Sequence, residues 1–184
     1  MQQLVLDVAH DATRAHILDM LFEAMNKDTR QRFDRLVACA VIPDRHHHTV
    51  VEVDQTIDSL SLPQRIKDDM HAVYGLLASA ESQVHGCPVE QTHFHEVGNA
   101  RGIRNALAIC AAFYVLDPHE VVATSIQTGE GEVECAHGVL PIPAPATAAL
   151  LEGLPRAVPC LPGERCTPTS AALLRHFVTT FMER

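Results

Sequence analysis

The chain has 184 residues, which is enough for one domain with a buried core. Hydrophobic residues make up 47% and charged residues 20%, as is typical of a globular protein. The formal charge of −9 argues against a nucleic-acid partner, because proteins that neutralise phosphates usually carry an excess of Lys and Arg. No apolar run approaches the roughly 20 residues of a membrane helix. The N-terminus also lacks the features of a secretory signal, so we expect a cytoplasmic protein without a membrane partner.

The predicted elements alternate between strands and helices. The expected strands are 3–8, 121–127, 131–136 and 157–161. The expected helices are 12–25, 27–39, 50–60, a long helix that starts at 61–63 and ends before Gly86, then 99–116, 146–151 and 167–181. Ser61 is the expected cap of the long helix, and Gly86 is expected to end it in the left-handed conformation. We therefore predict an α/β fold: a single domain with interleaved strands and helices and two long central helices.

The histidine content points to metal chemistry. Twelve histidines are present, and His is the commonest neutral metal ligand in proteins. The run His46-His47-His48 could bind a transition metal adventitiously. Six cysteines occur without a CxxC pair, and in a reducing compartment we expect free thiols. These counts predict a metal site but do not place it.

The sharpest chemical pattern is His93-Phe94-His95-Glu96. In an extended segment, side chains at positions i and i+2 share a face, so His93 and His95 would present two imidazoles to one ion. Two imidazoles with the Glu96 carboxylate suit nickel, zinc or iron. The competing interpretation is a strand with one buried, hydrogen-bonded histidine. The pattern alone leaves both open.

Three weaker patterns accompany it. Glu81 and His85 lie four residues apart on one helix face and could form a ligand pair, although a solvated or capping role is commoner. His137-Gly138 could supply a ligand or contact a substrate phosphate, although a surface-loop histidine is commoner. Thr167-Pro168-Thr169 could cradle an anion with backbone N–H groups, although simple capping is commoner. No glycine-rich phosphate loop is present, so we see no independent nucleotide site.

Taken together in chain order, three segments resemble the N-terminal domain of the LarC family. They read AESQVHGCPVEQTHFHEVG, GEGEVECAHGVLPIPAPATAALLEGLP and TPTSAALL. That family inserts nickel into pyridinium-3,5-bisthiocarboxylic acid mononucleotide, which completes the nickel-pincer cofactor of lactate racemase and related enzymes. The resemblance implies a chelatase-type lyase that is driven by CTP and a divalent ion.

The resemblance also implies two sets of site residues. The metal and catalytic set is His93, His95 and Glu96, with His85 as a further metal ligand. The set that contacts the cofactor precursor is His137, Gly138, Thr167 and Thr169. Asp7 corresponds to the aspartate that ends the family's first strand.

The chain departs from the family in three places. VAHDATRAHILDM replaces the glycine-rich run that usually follows the first strand. Arg101, Gly102 and Asn105 stand where the family has the aspartates of a DSIxDI pattern, a change that removes two carboxylates and adds a cation. The sequence contains no counterpart of the family's C-terminal CTP-binding domain. CTP and Mg or Mn are therefore expected only from a missing domain or a separate CTP-binding chain.

The leading hypothesis is nickel insertion or handling in maturation of the nickel-pincer cofactor. The alternative is a non-catalytic paralogue that acts as a partner subunit or regulator, which the lost aspartates and the missing domain favour. A third interpretation is a hydrolase that uses His and Glu on another metal. The oligomeric state, a homo-oligomer included, stays open at this stage.

Overall fold

The structure is a computed structural model that describes residues 3–44, 49–94, 99–135 and 138–182. The helices in these ranges are α1 (Arg14–Glu23), α2 (Lys27–Cys39), α3 (Val50–Ser59), α4 (Gln64–His85), α5 (Ala100–Leu116), α6 (Pro145–Leu150) and α7 (Pro168–Phe177), with a 3₁₀ turn at Val89–Gln91. The strands are β1 (Gln3–Leu6), β2 (Glu120–Ala123), β3 (Gly129–Cys135), β4 (Gly138–Ile142), β5 (Gly163–Glu164) and β6 (Thr180–Phe181).

The strands form two small sheets. The first is parallel, in the order β1-β2-β6, and the second is antiparallel, in the order β4-β3-β5. In β1, Leu4 and Leu6 point into the core while Gln3 and Val5 are exposed, which is the alternation expected of a half-buried strand. Helices separate the parallel strands along the chain, so the predicted α/β class is confirmed.

Two long helices occupy the centre of the molecule, as predicted. In α5, twelve of the seventeen residues are buried, because this helix is apolar on most faces. In α4, Ile66, Met70, Val73 and Leu77 recur at three- and four-residue steps and are fully buried. This helix packs against α3, α5, α6 and α7. Among the helices that the structure describes, none combines the length and apolarity needed to cross a lipid bilayer.

Of the two predicted ends of α4, the C-terminal end is confirmed and the N-terminal cap is not. Gly86 adopts the left-handed conformation, with φ +63°, as expected of a residue that ends a helix. The expected cap by Ser61 is wrong, since Pro63 occupies the cap position and no side chain caps the helix. Proline fits this position because its fixed φ suits the entry to a helix.

Two expectations for the C-terminal half are also wrong. No strand forms over 157–161; this segment is held instead by the Gln127 side chain, whose Oε1 accepts a hydrogen bond from Leu161 N at 3.2 Å and whose Nε2 donates to Pro159 O at 3.1 Å. The last helix ends at Phe177, and Thr179 N then donates to Val121 O at 2.9 Å, which brings Thr180–Phe181 beside β2.

The proline-containing connection after Gly138 is an edge strand. Among the strands that the structure describes, β4 pairs only with β3, and Pro141 lies opposite Glu132 in this pairing. A proline is tolerated there because an edge strand can leave one side of its backbone unpaired. The expected strands 121–127 and 131–136 have other bounds in the structure, since β2 ends at Ala123 and β3 already begins at Gly129, which pairs with β5.

Candidate functional site

A cavity of approximately 270 Å³ lies where the C-terminal half of α4 meets the start of α1, the β3–β4 hairpin and the start of α7. The polar and ionisable residues that line it are Arg14, Glu81, His85, Glu134, Cys135, Glu164, Thr167 and Thr169. These residues are far apart in sequence, and the fold brings them together. The three segments that carry the family resemblance each contribute to the lining of this one cavity.

The last turn of α4 supplies an imidazole and a carboxylate. His85 Nε2 lies 3.4 Å from Glu81 Oε2, and the side chain of Glu81 is 17% exposed against 39% for His85. The two residues face the same way because four residues nearly complete one helical turn. The predicted pairing of Glu81 with His85 is therefore present, and both side chains line the cavity.

The first turn of α7 supplies hydrogen-bond donors. Thr167 caps the helix, since its Oγ1 accepts a hydrogen bond from Ser170 N at 3.3 Å. Thr169 lies two residues further, is 2% exposed and lines the cavity. Its N–H belongs to the first turn, where backbone donors have no intrahelical partner. Within the described part of the chain, the Thr169 hydroxyl has no hydrogen-bond partner.

Arg14, the first residue of α1, supplies a cation that the sequence patterns did not single out. Burial is the largest influence and lowers the pKa of this partly buried guanidinium; the positive charge of Arg101 also lowers it, and the negative charge of Glu164 raises it. No carboxylate in residues 3–44, 49–94, 99–135 or 138–182 forms an ion pair with Arg14. The one available sequence signal was a basic residue in the first turn of a helix, where the helix dipole disfavours positive charge.

The β3–β4 hairpin forms a third wall of the cavity. Cys135 and Leu140 line it, and Cys135 pairs with Gly138 across the two strands. The Cys135 thiol donates to Gly138 O at 3.4 Å. Gly138 therefore lies next to a lining residue but is not itself part of the lining. His137 lies outside the described residues, so its predicted contact stays a prediction.

His93 lies in an extended segment, as the pattern predicts. It forms an antiparallel bridge with Thr49, and it is exposed while its neighbours Thr92 and Phe94 are buried. The Phe94 ring packs edge-on against Tyr74 of α4, with the ring centroids 5.7 Å apart. His93 is not among the residues that line the cavity.

The predicted metal set is only partly described by the structure. Within the described ranges, no group of three or more His, Cys, Asp or Glu side chains is arranged to hold a metal ion. His95 and Glu96 lie outside those ranges, as does the run His46-His47-His48. The convergence of His93 and His95 on one ion therefore stays a prediction.

The positions at which the chain departs from the family pattern lie at the start of α5. Arg101 is exposed and lies close enough to Arg14 for the two charges to repel. Asn99 caps the helix by accepting a hydrogen bond from Gly102 N at 2.7 Å. Asp7 lies elsewhere: its Oδ1 accepts from Ala9 N and Thr124 Oγ1, both at 3.2 Å, beside a second surface cavity. The structure thus does not bring Asp7 into the cavity that His85 lines.

An α/β domain in which one cavity is lined by both a histidine–carboxylate pair and a helix N-terminus is consistent with a protein that handles a metal ion and an anionic ligand. The chain matches the family described as "Nickel insertion protein" over residues 5–184, and it belongs to that family. The resemblance to LarC seen in the sequence is therefore confirmed.

Curated relatives carry the same description. The pyridinium-3,5-bisthiocarboxylic acid mononucleotide nickel insertion protein of Staphylococcus saprophyticus is 31% identical over 175 residues, which cover 95% of this chain and 45% of that protein. The protein of the same name from Staphylococcus epidermidis is 38% identical over 136 residues, which cover 74% of this chain and 34% of that protein. A putative nickel insertion protein of Geobacter metallireducens is 40% identical over 139 residues, which cover 76% of this chain and 35% of that protein. The chain spans less than half the length of these relatives, and no solved structure matches it.

Proposed function

We propose that this chain inserts or handles nickel for pyridinium-3,5-bisthiocarboxylic acid mononucleotide, the compound in the names of its relatives. One observation carries the proposal. The α4 terminus, the β3–β4 hairpin and the start of α7 come from the three resembling segments, and all line a single cavity. On this proposal the chain acts in the cytoplasm, in a lyase-type step that matures the nickel-pincer cofactor of lactate racemase.

The proposed nickel ligands are His93, His95, Glu96 and His85. Cys87 Sγ lies 3.8 Å from Thr92 Oγ1, a contact that joins the two ends of the short connection between α4 and His93. Imidazole and carboxylate are borderline to hard ligands for Ni²⁺, whereas the thiocarboxylate sulfurs of the substrate are soft. Ligand exchange from nitrogen and oxygen to sulfur is therefore favourable and needs no change in the oxidation state of nickel.

The proposed contacts to the precursor are His137, Gly138, Thr167 and Thr169. Thr167 and Thr169 line the cavity, and Gly138 is paired with Cys135, which also lines it. Since these relatives are more than twice as long as the matched segment, CTP and its Mg or Mn would be bound by another region or by a separate CTP-binding chain.

The test is nickel binding in a background without the adventitious triplet. His46, His47 and His48 are all replaced by Ala, and nickel content is measured by mass spectrometry after equilibrium dialysis. We expect tight binding of nickel in this background and its loss in His93→Ala/His95→Ala. The matched control is His119→Ala, because His119 is an exposed histidine outside the proposed set. Equal nickel binding by the background and by the double variant would contradict the proposal.

The second candidate is a non-catalytic paralogue that serves as a partner subunit or regulator. Arg101 and Asn105 favour it, because they stand where the family has aspartates and Arg101 adds positive charge beside Arg14. An insertion assay with a separately supplied CTP-binding chain distinguishes the two candidates. Formation of the nickel-loaded cofactor that depends on His93 and His95 supports insertion. Formation that this chain stimulates independently of those histidines supports the regulator.

A further inference from the structure

We infer that Arg14 and the first turn of α7 form a binding site for a phosphate monoester. The inference rests on the proposed function in one respect, since the phosphate would be that of the pyridinium mononucleotide. It assigns a role to Arg14 that neither the motifs nor the names of the relatives give. It also gives Thr169 a specific partner within the substrate.

The first observation is a partly buried cation that lines the cavity. Burial lowers the pKa of Arg14, and in the described part of the chain no carboxylate oxygen forms a salt bridge with it within 4.0 Å, although the charge of Glu164 acts on it from nearby. Removing a charge from water is costly unless an opposite charge or hydrogen bonds compensate. The guanidinium presents several N–H donors in a planar fork that matches the oxygens of a phosphate. An anion in the cavity would add direct hydrogen bonds to the partial compensation that Glu164 supplies.

The second observation is independent of the first and comes from α7. The Thr169 side chain is 2% exposed and lines the cavity, and its hydroxyl has no hydrogen-bond partner within the described residues. A hydroxyl that faces a cavity in this way can donate to an acceptor oxygen bound there. The Thr169 N–H and the positive end of the helix dipole lie at the same turn, and both favour an anion. A phosphate there would accept hydrogen bonds from the hydroxyl and the N–H together.

The distribution of charge divides the cavity into two parts. Arg14 interacts electrostatically with Tyr74, Arg101 and Glu164. Glu81 and His85 lie about two and three turns further along α4 than Tyr74, respectively. Glu164, which acts on Arg14, precedes the cap residue Thr167 by only three positions, so we assign the cation and the α7 donors to one part and the histidine–carboxylate pair to the other. This arrangement fits a substrate that has a phosphate at one end and a metal-binding group at the other.

The negative charge of Glu164 provides a further test of the inference. It lines the cavity and lies near Arg14, so its negative charge opposes a phosphate while it stabilises the guanidinium. Arg101 acts in the opposite sense, because it adds positive charge nearby. We therefore expect Glu164→Gln to strengthen phosphate binding. A site that recognised only the pyridinium ring and ribose would not respond in this way.

The experiment compares two probes that differ only in the phosphate. Nicotinic acid mononucleotide and nicotinic acid riboside are titrated into the protein by calorimetry. We expect the mononucleotide to bind more tightly. Arg14→Gln and Thr169→Val should each weaken mononucleotide binding by about tenfold, since a hydrogen bond to a charged group is worth roughly that factor. Neither variant should change binding of the riboside. Glu164→Gln should tighten binding of the mononucleotide alone.

Matched controls exist for both substitutions. Arg32→Gln removes an exposed cation of α2 that does not line the cavity. Thr147→Val removes a buried hydroxyl that also has no partner but lies outside the cavity lining. Both controls should bind the mononucleotide as the unmodified protein does. If Arg14→Gln fails to fold, Arg14→Lys replaces it, and loss of the guanidinium fork should still weaken mononucleotide binding.

Nickel content of the same variants separates this inference from the proposed function. Arg14→Gln and Thr169→Val should retain nickel while they lose the preference for the mononucleotide. A preference that survives both substitutions overturns the inference, as does equal binding of the two probes by the unmodified protein. If the preference depends on Arg14 but nickel binding is absent, the phosphate site stands and the proposed metal function fails.

Discussion

Replacement of His71 by Gln is expected to remove a pH-dependent link between α3 and α4. His71 Nδ1 lies 2.8 Å from Asp54 Oδ1, and its Nε2 lies 2.9 Å from Asp58 Oδ1. A neutral imidazole has one N–H, so both contacts are hydrogen bonds only when the ring is protonated. Burial alone would lower the pKa of His71, but the hydrogen bonds to Asp58 and Asp54 and their negative charges together raise it.

The sign and size of the effect follow from this geometry. Because the folded state binds the proton more tightly, the stabilisation is fully present below the unfolded-state pKa of about 6.5. It is lost as the pH rises through the higher pKa of the folded state. The side chains are 30%, 43% and 68% exposed for His71, Asp54 and Asp58, so solvent screens the pairs. We expect a contribution of about 1 kcal/mol to the free energy of unfolding.

The assay is urea-induced unfolding of the unmodified protein and of His71→Gln at about pH 6 and about pH 9. The variant should be less stable by about 1 kcal/mol at the lower pH and nearly equal in stability at the higher pH. His119→Gln is the matched control, because His119 is exposed and has no carboxylate partner within the described residues. A difference between His71→Gln and the unmodified protein that is the same at both pH values would refute the reasoning.

Two further substitutions test local features of the fold by the same unfolding measurement. Gly129→Ala should destabilise the protein by more than about 2 kcal/mol, because the added Cβ would lie 1.8 Å from Gly163 O and because Gly129 has a φ of +83°. Unchanged stability would mean that β3 and β5 are less close than described. Asn26→Ala should cost about 1 kcal/mol, because Asn26 Oδ1 caps α2 by accepting from Asp28 N and Thr29 N at 3.0 Å; the control is Gln31→Ala at an exposed position within that helix.

The helices were the most predictable part of the fold. α2 has the predicted bounds Lys27–Cys39, and Gly86 ends α4 as expected, because apolar periodicity and terminator residues are local signals. β6 was missed because its partner β2 is distant in sequence, whereas β4 pairs with the neighbouring β3 and was missed because its segment contains prolines. Thr180–Phe181 is a strand only because the chain after α7 reaches the free side of β2.

The residues of the candidate site were also only partly predictable from the sequence. His85, Thr167 and Thr169 could be found from short segments that resemble a known family, and the structure brings all three to one cavity. Arg14 could not be found, because its role depends on Tyr74 and Glu164, which are 60 or more residues away along the chain. Its own segment, VAHDATRAHILDM, departs from the family pattern and so offered no guide.

The central claim is that nickel is held by His93 and His95, the two histidines of the HFHE pattern in the first resembling segment. The most direct measurement is anomalous X-ray scattering at the nickel absorption edge, from crystals of the variant that lacks His46, His47 and His48. The account predicts a nickel peak within bonding distance of His93 and His95. A nickel-saturated crystal with its only peak remote from both imidazoles would contradict it.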